Sequence, residues 1–238
     1  MAKQKQNLYG QAMGAKGRST RARILKATAE LMERRPIREL KVAEIGALAG
    51  VSSSTFYLYF ESVPEAALAV VESLQQATPE VIGILAREWT RESVGDDAKA
   101  FVIAYFSFWD RHHALLRVRN FAADEGDRRF FEARRRSTEP IHLALQEKMR
   151  EFARQEPGLH HLHPPSTASV LLAMLERTAA IIRLPSAHKA TRPRQIESVA
   201  FLVASAMVGH VGDVGKPVAR TAAKRKFDDD NVVHAEKA

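Results

Sequence analysis

The stretch from Val42 to Phe60 reads VAEIGALAGVSSSTFYLYF and contains the strongest structural signal in this chain. Val42 and Ile45 have the spacing of one helix face, so the first part of the stretch is predicted to be a short amphipathic helix. Gly50 stands where a residue with positive φ would end that helix. Ser52 follows as a suitable cap for a further helix. The stretch therefore predicts two short helices joined by a sharp turn.

The second of these helices is predicted to divide its aromatic residues between two faces. Phe56 and Phe60 lie four residues apart and share the face that packs on the core, so Tyr57 must lie largely elsewhere. Two short helices joined at a glycine form a helix-turn-helix, whose second helix places side chains in the major groove of DNA. The alternative is that the tyrosines are core aromatics of a small bundle. Because the phenylalanines already occupy the inward face, DNA contact is the favoured interpretation.

Further helices are predicted on both sides of the helix-turn-helix. Apolar helical spacing runs through residues 24–32, after a possible cap at Ser19 or Thr20. On the other side, Ser62 and Glu65 have the S-x-x-E spacing of a capping box, which predicts the start of a fourth helix. The helix-turn-helix domain is therefore expected to span residues 19–64.

The first 18 residues are predicted to form a flexible basic arm. The chain has no acidic residue as far as Arg23, and its basic residues there are Lys3, Lys5, Lys16, Arg18, Arg21 and Arg23. A cationic arm next to a helix-turn-helix can enter an adjacent minor groove or bind phosphate. The alternative is a solvated tail with no specific partner.

The remainder of the chain is predicted to be helical throughout. Helices are expected near residues 65–89, 96–111, 114–124, 127–155, 165–183 and 192–209, and no segment shows strand alternation. Pro79 and Pro140 lie inside two of these segments and should kink or split them. The predicted fold is thus all-α, with a second helical domain over 65–210 and a disordered tail over 211–238.

The last two helical segments are apolar on more than one face. In the final segment Ile196, Val199 and Val203 form one stripe, while Phe201 and Val208 lie on another. One face can pack inside its own domain, and a second subunit is the simplest cover for the other. We therefore expect a homodimer joined through these two segments.

Composition limits the possible partners and locations. The formal net charge of +8 and the isoelectric point near 9.9 favour a polyanionic partner. The absence of cysteine excludes disulfides and thiolate catalysis. The longest dense apolar stretch, residues 199–208, is too short to cross a bilayer, and the N-terminus does not read as a signal peptide. A cytoplasmic protein without a membrane partner is expected.

The stretch from residue 42 to residue 60 resembles the hallmark of the TetR family, hydrophobic-x-x-I-A-x-x-A-G-V-S-x-x-T-h-Y-x-Y-F, in which h is hydrophobic. The resemblance implies that Ser53, Ser54 and Tyr57 face base edges, while Thr55 and Tyr59 hold phosphates. The chain departs from the family pattern at Lys41, Ser54 and Val63-Pro64. The expected DNA-contacting residues are Arg18, Arg21, Lys41, Ser52, Ser53, Ser54, Thr55, Tyr57, Leu58 and Tyr59.

The aromatic run from Phe101 to Trp109 is the candidate effector site. A large apolar cavity with a few polar groups is typical of a small-molecule pocket, although an aromatic stripe is also typical of ordinary core. The family resemblance implies a pocket among the middle helices, so the second domain is expected to bind ligand and to dimerise. The expected lining residues are Phe101, Tyr105, Phe108, Trp109, Asn120, Phe121, Met149, Leu172, Leu175 and Thr178. Glu176 and Arg177 are interpreted as an ion pair.

Two enzyme-like signals lack the surroundings that catalysis needs. A loop with histidines at 160, 161 and 163 has no helical i, i+4 spacing, and no cysteine or carboxylate cluster lies near it in sequence. Glycines at 209, 212 and 215 follow a predicted helix, whereas a nucleotide-binding loop follows a strand. We therefore expect no enzyme, no cofactor and no metal.

The expected function is a ligand-responsive transcription regulator that binds double-stranded operator DNA. We expect a repressor that a small apolar or amphipathic effector releases from its operator. The alternative is a DNA-binding protein of the same fold that lacks a small effector and is either architectural or controlled by a protein partner. A closely packed interior would favour the alternative, and an open cavity beside Trp109 would favour an effector.

Overall fold

The computed structural model describes residues 7–76, 78–155, 162–182 and 191–209. Over these ranges the regular structure is entirely helical, as predicted. Short 3-10 turns at Ile37–Glu39 and Glu72–Gln76 join some of the helices. The α-helices are α1 (Ala15–Arg34), α2 (Val42–Ala49), α3 (Ser53–Tyr57), α4 (Val63–Val71), α5 (Pro79–Leu85), α6 (Val94–Asp124), α7 (Arg128–Gln155), α8 (Pro164–Ile181) and α9 (Thr191–Val208).

Helix α1 begins earlier than the predicted cap at Ser19 or Thr20. Its first residue is Ala15, and Thr20 is buried within the helix. Met13, just before the helix, is also buried and anchors the chain at this point. Burial of this apolar side chain accompanies the earlier start of α1. The last four residues of the predicted flexible arm are therefore helical.

The two prolines behave differently from one another. The predicted segment 65–89 is split into α4, a 3-10 turn and α5, and Pro79 occupies the first turn of α5, where its missing N–H is tolerated. Pro140 was also expected to kink or split its helix, but α7 continues through it from Arg128 to Gln155. Packing of α7 against α6 and α8 supports the helix over this region.

Helix α6 is kinked at His112, where φ is −121° and ψ is 16°, so its backbone runs as two helices in agreement with the predicted break between 111 and 114. The helix packs against α5, α7, α8 and α9 and also reaches α1 and α4 of the N-terminal domain. It therefore connects the two domains. Its backbone hydrogen bonding is continuous on either side of the kink at His112.

Helices α8 and α9 present apolar side chains to solvent as well as to the core. Val170 and Ile181 of α8 and Phe201 and Leu202 of α9 are exposed, Phe201 by 69%. Val203 is completely buried inside its own subunit. Val203 is therefore a core residue of its own subunit, and a charge there would disrupt the core.

None of the helices in the described part of the chain is long and apolar enough to cross a membrane. The predicted tail at 211–238 lies outside the described residues.

Candidate DNA interface and effector site

The turn between α2 and α3 has the geometry that the sequence predicts. Gly50 has φ +64° and ψ 42°, a left-handed conformation that strains other residues. Ser52 caps α3 by accepting a hydrogen bond from the Thr55 N–H to its Oγ at 3.1 Å. Gly46 is also required, because a Cβ there would stand 2.8 Å from the carbonyl oxygen of Val51. The two short helices are therefore held close together.

Glu44 compensates for the lysine that stands at the cap of α2. The Lys41 N–H donates to Glu44 Oε2 at 3.2 Å, and Arg35 Nη2 lies 3.1 Å from Glu44 Oε1. The hydrogen bond from Arg35, followed by the one from the Lys41 backbone, lowers the pKa of the Glu44 carboxyl. Glu44 thus satisfies the N-terminal end of α2, and the Lys41 side chain remains exposed to solvent.

Helix α3 separates a buried face from a polar face. Phe56 and Phe60 are buried, with ring centroids 5.7 Å apart. Tyr57 is 48% exposed. Ser53 and Ser54 are also exposed, so the predicted base-reading side chains share an accessible surface. Phe56 and Phe60 thus anchor this region to the core, and the polar surface faces solvent.

The predicted phosphate contacts are less accessible than the predicted base contacts. Thr55 is half-buried, and its Oγ1 lies 2.9 Å from Ser52 Oγ in the helix cap. Tyr59 is also half-buried, with its hydroxyl beside Gly17 of α1. The cap and the core thus hold both side chains in place.

Arg21 does not lie on the predicted DNA surface. It is part of α1, and its guanidinium lies over the Phe60 ring at 5.1 Å from the centroid. Burial lowers its pKa, while the carboxylates of Glu72 and Glu65 oppose that shift. Arg21 was assigned to DNA as one of the basic residues near the start of the chain. Its position in a helix instead turns it towards the core and the acidic residues of α4 and the turn after it.

The N-terminal segment lies against the recognition helix, which sequence reasoning missed. The Leu8 N–H donates to the carbonyl oxygen of Leu58 at 3.1 Å. Arg18, predicted to contact DNA, donates from Nη1 to the Met13 carbonyl oxygen at 2.8 Å. The local sequence offers only two residues that favour such an ordered loop. They are Asn7 and Gly10, which are common in turns.

The predicted effector residues of α6 form a buried aromatic row. Phe101, Tyr105, Phe108 and Trp109 are all buried, and the Phe101–Tyr105 and Tyr105–Phe108 centroid distances are 6.3 and 6.4 Å. Met149, Leu172 and Leu175 are buried as well. Trp109 Nε1 is a buried donor beside the Tyr105 phenol, and among the described residues it makes no well-aligned hydrogen bond.

A buried ion cluster lies at the junction of α6, α7 and α8. Arg119 is only 2% exposed and donates from Nη2 to Glu176 Oε1 at 2.5 Å and from Nη1 to Ser137 Oγ at 2.7 Å. Arg134 donates to the other oxygen of Glu176 at 2.6 Å. Arg177, the partner that the sequence suggested for Glu176, is exposed. The carboxylate thus joins three helices instead of pairing with its neighbour.

The ion cluster affects Tyr105 in the aromatic row. Burial raises the pKa of Tyr105, and the negative charge of Glu176 raises it further. Its phenol therefore remains protonated and neutral. The aromatic row and the ion cluster form one connected electrostatic environment.

A cleft of about 400 Å³ opens between α7 and α8 above the ion cluster. Leu172 and Glu176 line it from α8, and the aromatic row lies deeper in the domain. The full lining consists of Arg134, Arg135, Thr138, Glu139, His142, Ser169, Leu172, Ala173 and Glu176. Seven of the nine lining residues are polar or charged, in contrast to the apolar cavity that the sequence suggested.

Three of the predicted effector residues are not buried, namely Phe121, Asn120 and Thr178. Phe121 lies in the part of α6 beyond the kink at His112. It is 50% exposed and lines a cleft of about 330 Å³ with Ile37 and Arg38 of the N-terminal domain. Asn120 accepts a hydrogen bond from Arg119 Nε at 2.9 Å, and Thr178 is half-buried on α8. The kink at His112 thus separates the aromatic row from Phe121.

The histidine loop lies mostly outside the described residues, which begin again at 162. His163 precedes α8, and its Nδ1 lies 2.9 Å from Ser166 Oγ. In the ranges that the structure describes, no three metal-binding side chains come together. Of the three glycines near the C-terminus, Gly209 is described and has φ +73°.

Comparison with protein families matches both parts of this architecture. The model described as bacterial regulatory proteins, tetR family, matches residues 24–62. The model described as tetracyclin repressor-like, C-terminal domain, matches residues 83–218. The chain belongs to the TetR family of bacterial regulatory proteins. Its helix-turn-helix and its helical second domain are those of a TetR-family transcription regulator.

Solved structures of transcriptional regulators share this fold at low sequence identity. A transcriptional regulator of Pseudomonas aeruginosa PAO1 has 15% identity and a TM-score of 0.63, over 82% of this chain and 92% of its own. The fatty acid degradation regulator FadR of Bacillus subtilis, solved with stearoyl-CoA, has 13% identity and a TM-score of 0.58, over 80% and 99%.

A ketosteroid transcriptional regulator of Mycobacterium tuberculosis has 16% identity and a TM-score of 0.54, over 77% of this chain and 93% of its own. No curated protein matches this chain.

Proposed function

We propose that this chain is a ligand-responsive repressor that binds operator DNA in the bacterial cytoplasm and leaves it when a small effector binds the second domain. The observation that carries the DNA-binding half is the division of α3. Buried Phe56 and Phe60 anchor the helix, while Tyr57 and the serines before it form an accessible polar surface. Such a surface suits the edges of base pairs in a major groove.

Tyr57→Ala tests the DNA-binding proposal. The variant is expected to keep its fold, since the side chain is half exposed, and to lose about 1 to 3 kcal/mol of operator affinity through one lost base contact. The measurement is fluorescence anisotropy on the duplex that the wild-type protein enriches from a random library. Circular dichroism provides the folding control. Unchanged affinity and sequence preference in a folded Tyr57→Ala protein would contradict the proposal.

The proposal that the second domain binds an effector rests on two features. They are the buried indole N–H of Trp109 and the cleft lined by Glu176. The buried indole N–H next to the Tyr105 phenol and the aromatic row suits a mainly apolar ligand that offers one acceptor oxygen. The cleft between α7 and α8 is lined by Glu176, whose charge acts on Tyr105 of the aromatic row. The FadR relative was solved with an acyl thioester, stearoyl-CoA, which has this combination of apolar chain and polar group. We therefore assign an amphipathic effector to this domain.

Helix α6 connects the proposed effector region to the DNA-binding domain. Arg119 lies on its ion-cluster side, and Phe121, two residues further along, lies beside Ile37 of the N-terminal domain. An effector that separates Glu176 from Arg119 would move this end of α6 relative to α8. Because α6 packs on α1, the displacement would shift the helix-turn-helix. A change in spacing between two such domains in a dimer would weaken operator binding.

The dimer is proposed to form through the exposed apolar faces of α8 and α9. A substitution at Phe201 is the most direct test of this interface. The Phe201 side chain is exposed on the surface of the single subunit, whereas that of Val203 is buried in its core. Phe201→Glu is expected to yield folded monomers, since two buried carboxylates would face each other across a two-fold interface. Native mass spectrometry measures the assembly, and Glu197→Gln, at an exposed position of α9, is the matched control. A Phe201→Glu protein that stays dimeric would place the interface elsewhere.

The same native mass spectra test the effector. A small molecule that co-purifies with the wild-type protein and lowers its DNA affinity when added back supports the proposal. A protein that carries no such molecule, and whose DNA binding no amphipathic compound alters, favours the regulator without a small effector. The close packing of the aromatic row is the observation that supports a regulator without a small effector.

A further inference from the structure

The loop before α1 is an ordered structure instead of a flexible arm. The side-chain oxygen of Asn7 accepts hydrogen bonds from the Tyr9 N–H at 3.1 Å and the Gln11 N–H at 3.0 Å. Asn7 Nδ2 donates to Gln11 Oε1 at 2.8 Å. Gly10, with φ +74°, permits the tight reversal between them. These contacts close residues 7–11 into a compact turn whose shape does not depend on a partner.

This turn is attached at both ends to the DNA-binding domain. The Leu8 N–H donates to the Leu58 carbonyl oxygen, at the C-terminal end of α3. Met13 is buried, and its carbonyl oxygen accepts from Arg18 of α1. The turn therefore moves with the recognition helix and extends its surface beyond Tyr57.

Tyr9 is the side chain that this loop displays. It is 71% exposed, and within the described ranges its phenol has no hydrogen-bond partner. Ordering a loop costs conformational entropy, and burial of Tyr9 does not offset that cost. A tyrosine offers an apolar ring and a hydroxyl donor, which suits a surface that is partly apolar and partly polar.

The positive charge around this loop favours a polyanion as its partner. The first acidic residue of the chain is Glu30, and seven basic residues precede it. One of them, Arg21, is turned inward, but Lys16 and Arg18 are exposed at the start of α1. A cationic surface joined to a recognition helix attracts the phosphate backbone next to the base pairs being read.

We propose that residues 7–13 form a second DNA-contacting element, in which Tyr9 binds the sugar-phosphate backbone flanking the base pairs that α3 reads. This inference rests on the proposed function, since it requires α3 to bind DNA. The loop meets the C-terminal end of α3, whereas the N-terminal end of a recognition helix enters the groove. Tyr9 therefore reaches the duplex at the edge of each half-site. Its hydroxyl donates to a phosphate oxygen while the ring packs on the sugar.

The test compares two duplexes that contain the site enriched by the wild-type protein from a random library. One keeps several flanking base pairs outside each half-site, and the other is trimmed to the base pairs that α3 protects. Tyr9→Ala is expected to lose about tenfold in affinity on the long duplex, the effect of one hydrogen bond to a charged group, and nothing on the trimmed one. Asn7→Ala, which opens the turn, is expected to show the same pattern. Circular dichroism checks that both variants fold.

Tyr57→Ala is the control that separates this inference from the proposed function. It is expected to lose affinity on both duplexes. A Tyr9→Ala protein that binds the long duplex like the wild type, or that loses equally on both, overturns the role of Tyr9. Full affinity of Asn7→Ala would overturn the preformed loop. If the wild-type protein enriches no duplex, the proposed function falls and this inference falls with it.

Discussion

Glu176→Ala is expected to lower the free energy of unfolding by about 3 to 5 kcal/mol, because it leaves a buried guanidinium without its carboxylate. Arg119 is almost fully buried, and Glu176 is its only anionic partner among the described residues. Arg134 would lose the same carboxylate but could turn to Asp124, 3.2 Å from its other amino group. The cost therefore falls mainly on Arg119. Urea denaturation followed by circular dichroism measures it.

Two comparisons make this measurement specific to burial. Glu139→Ala removes a carboxylate from the wall of the same cleft, but its ion pair with Arg135 is exposed, so the loss should stay below about 1 kcal/mol. Replacing both partners, Arg119→Met with Glu176→Leu, should recover much of the stability that Glu176→Ala loses. Equal losses for Glu176→Ala and Glu139→Ala would show that the buried cluster contributes no more than a surface pair.

Phe60→Ala is expected to destabilise the N-terminal domain by about 3 to 5 kcal/mol through the cavity that it leaves. Phe60 is buried against Phe56 and also carries the guanidinium of Arg21 on its ring face. Removal of the ring takes away both contacts. Hydrogen exchange by mass spectrometry should therefore show faster exchange in α1 and α3, with little change in α8 and α9.

Tyr57→Ala is the matched control for Phe60→Ala, since the two aromatic residues lie three positions apart on different faces of the same region. Tyr57→Ala should leave hydrogen exchange in α1 and α3 almost unchanged, because half of its side chain is already in water. If both variants accelerate exchange to the same extent, Tyr57 is a core residue and the division of α3 into two faces is wrong.

Local signals predicted the helix-turn-helix because each depends on a few neighbouring residues. The left-handed conformation of Gly50 and the cap made by Ser52 act within one turn of the chain. The burial of Phe56 and Phe60 follows from their spacing of four. The same reasoning separated Tyr57 from the core face, and its exposure agrees with that prediction.

Contacts between distant residues escaped prediction. Arg119 and Glu176 are 57 positions apart, so the sequence paired Glu176 with adjacent Arg177 instead. Arg21 was grouped with the basic residues expected to contact DNA, but its guanidinium lies over the ring of Phe60, a residue distant from it in the chain. Phe121 was grouped with the aromatic row, but it lies beyond the kink at His112, is half exposed and lines a different cleft.

The amino-acid sequence alone determined the helical class, the turn between α2 and α3 and the family, because spacing, caps and glycine conformations depend on neighbours along the chain. Only the tertiary structure decided that the N-terminal loop attaches to Leu58, that Glu176 joins three helices and that Phe201 is exposed while Val203 is buried. These features depend on which helix faces meet in space. Burial and long-range hydrogen bonding set that arrangement, and helical spacing does not specify the partner of a face.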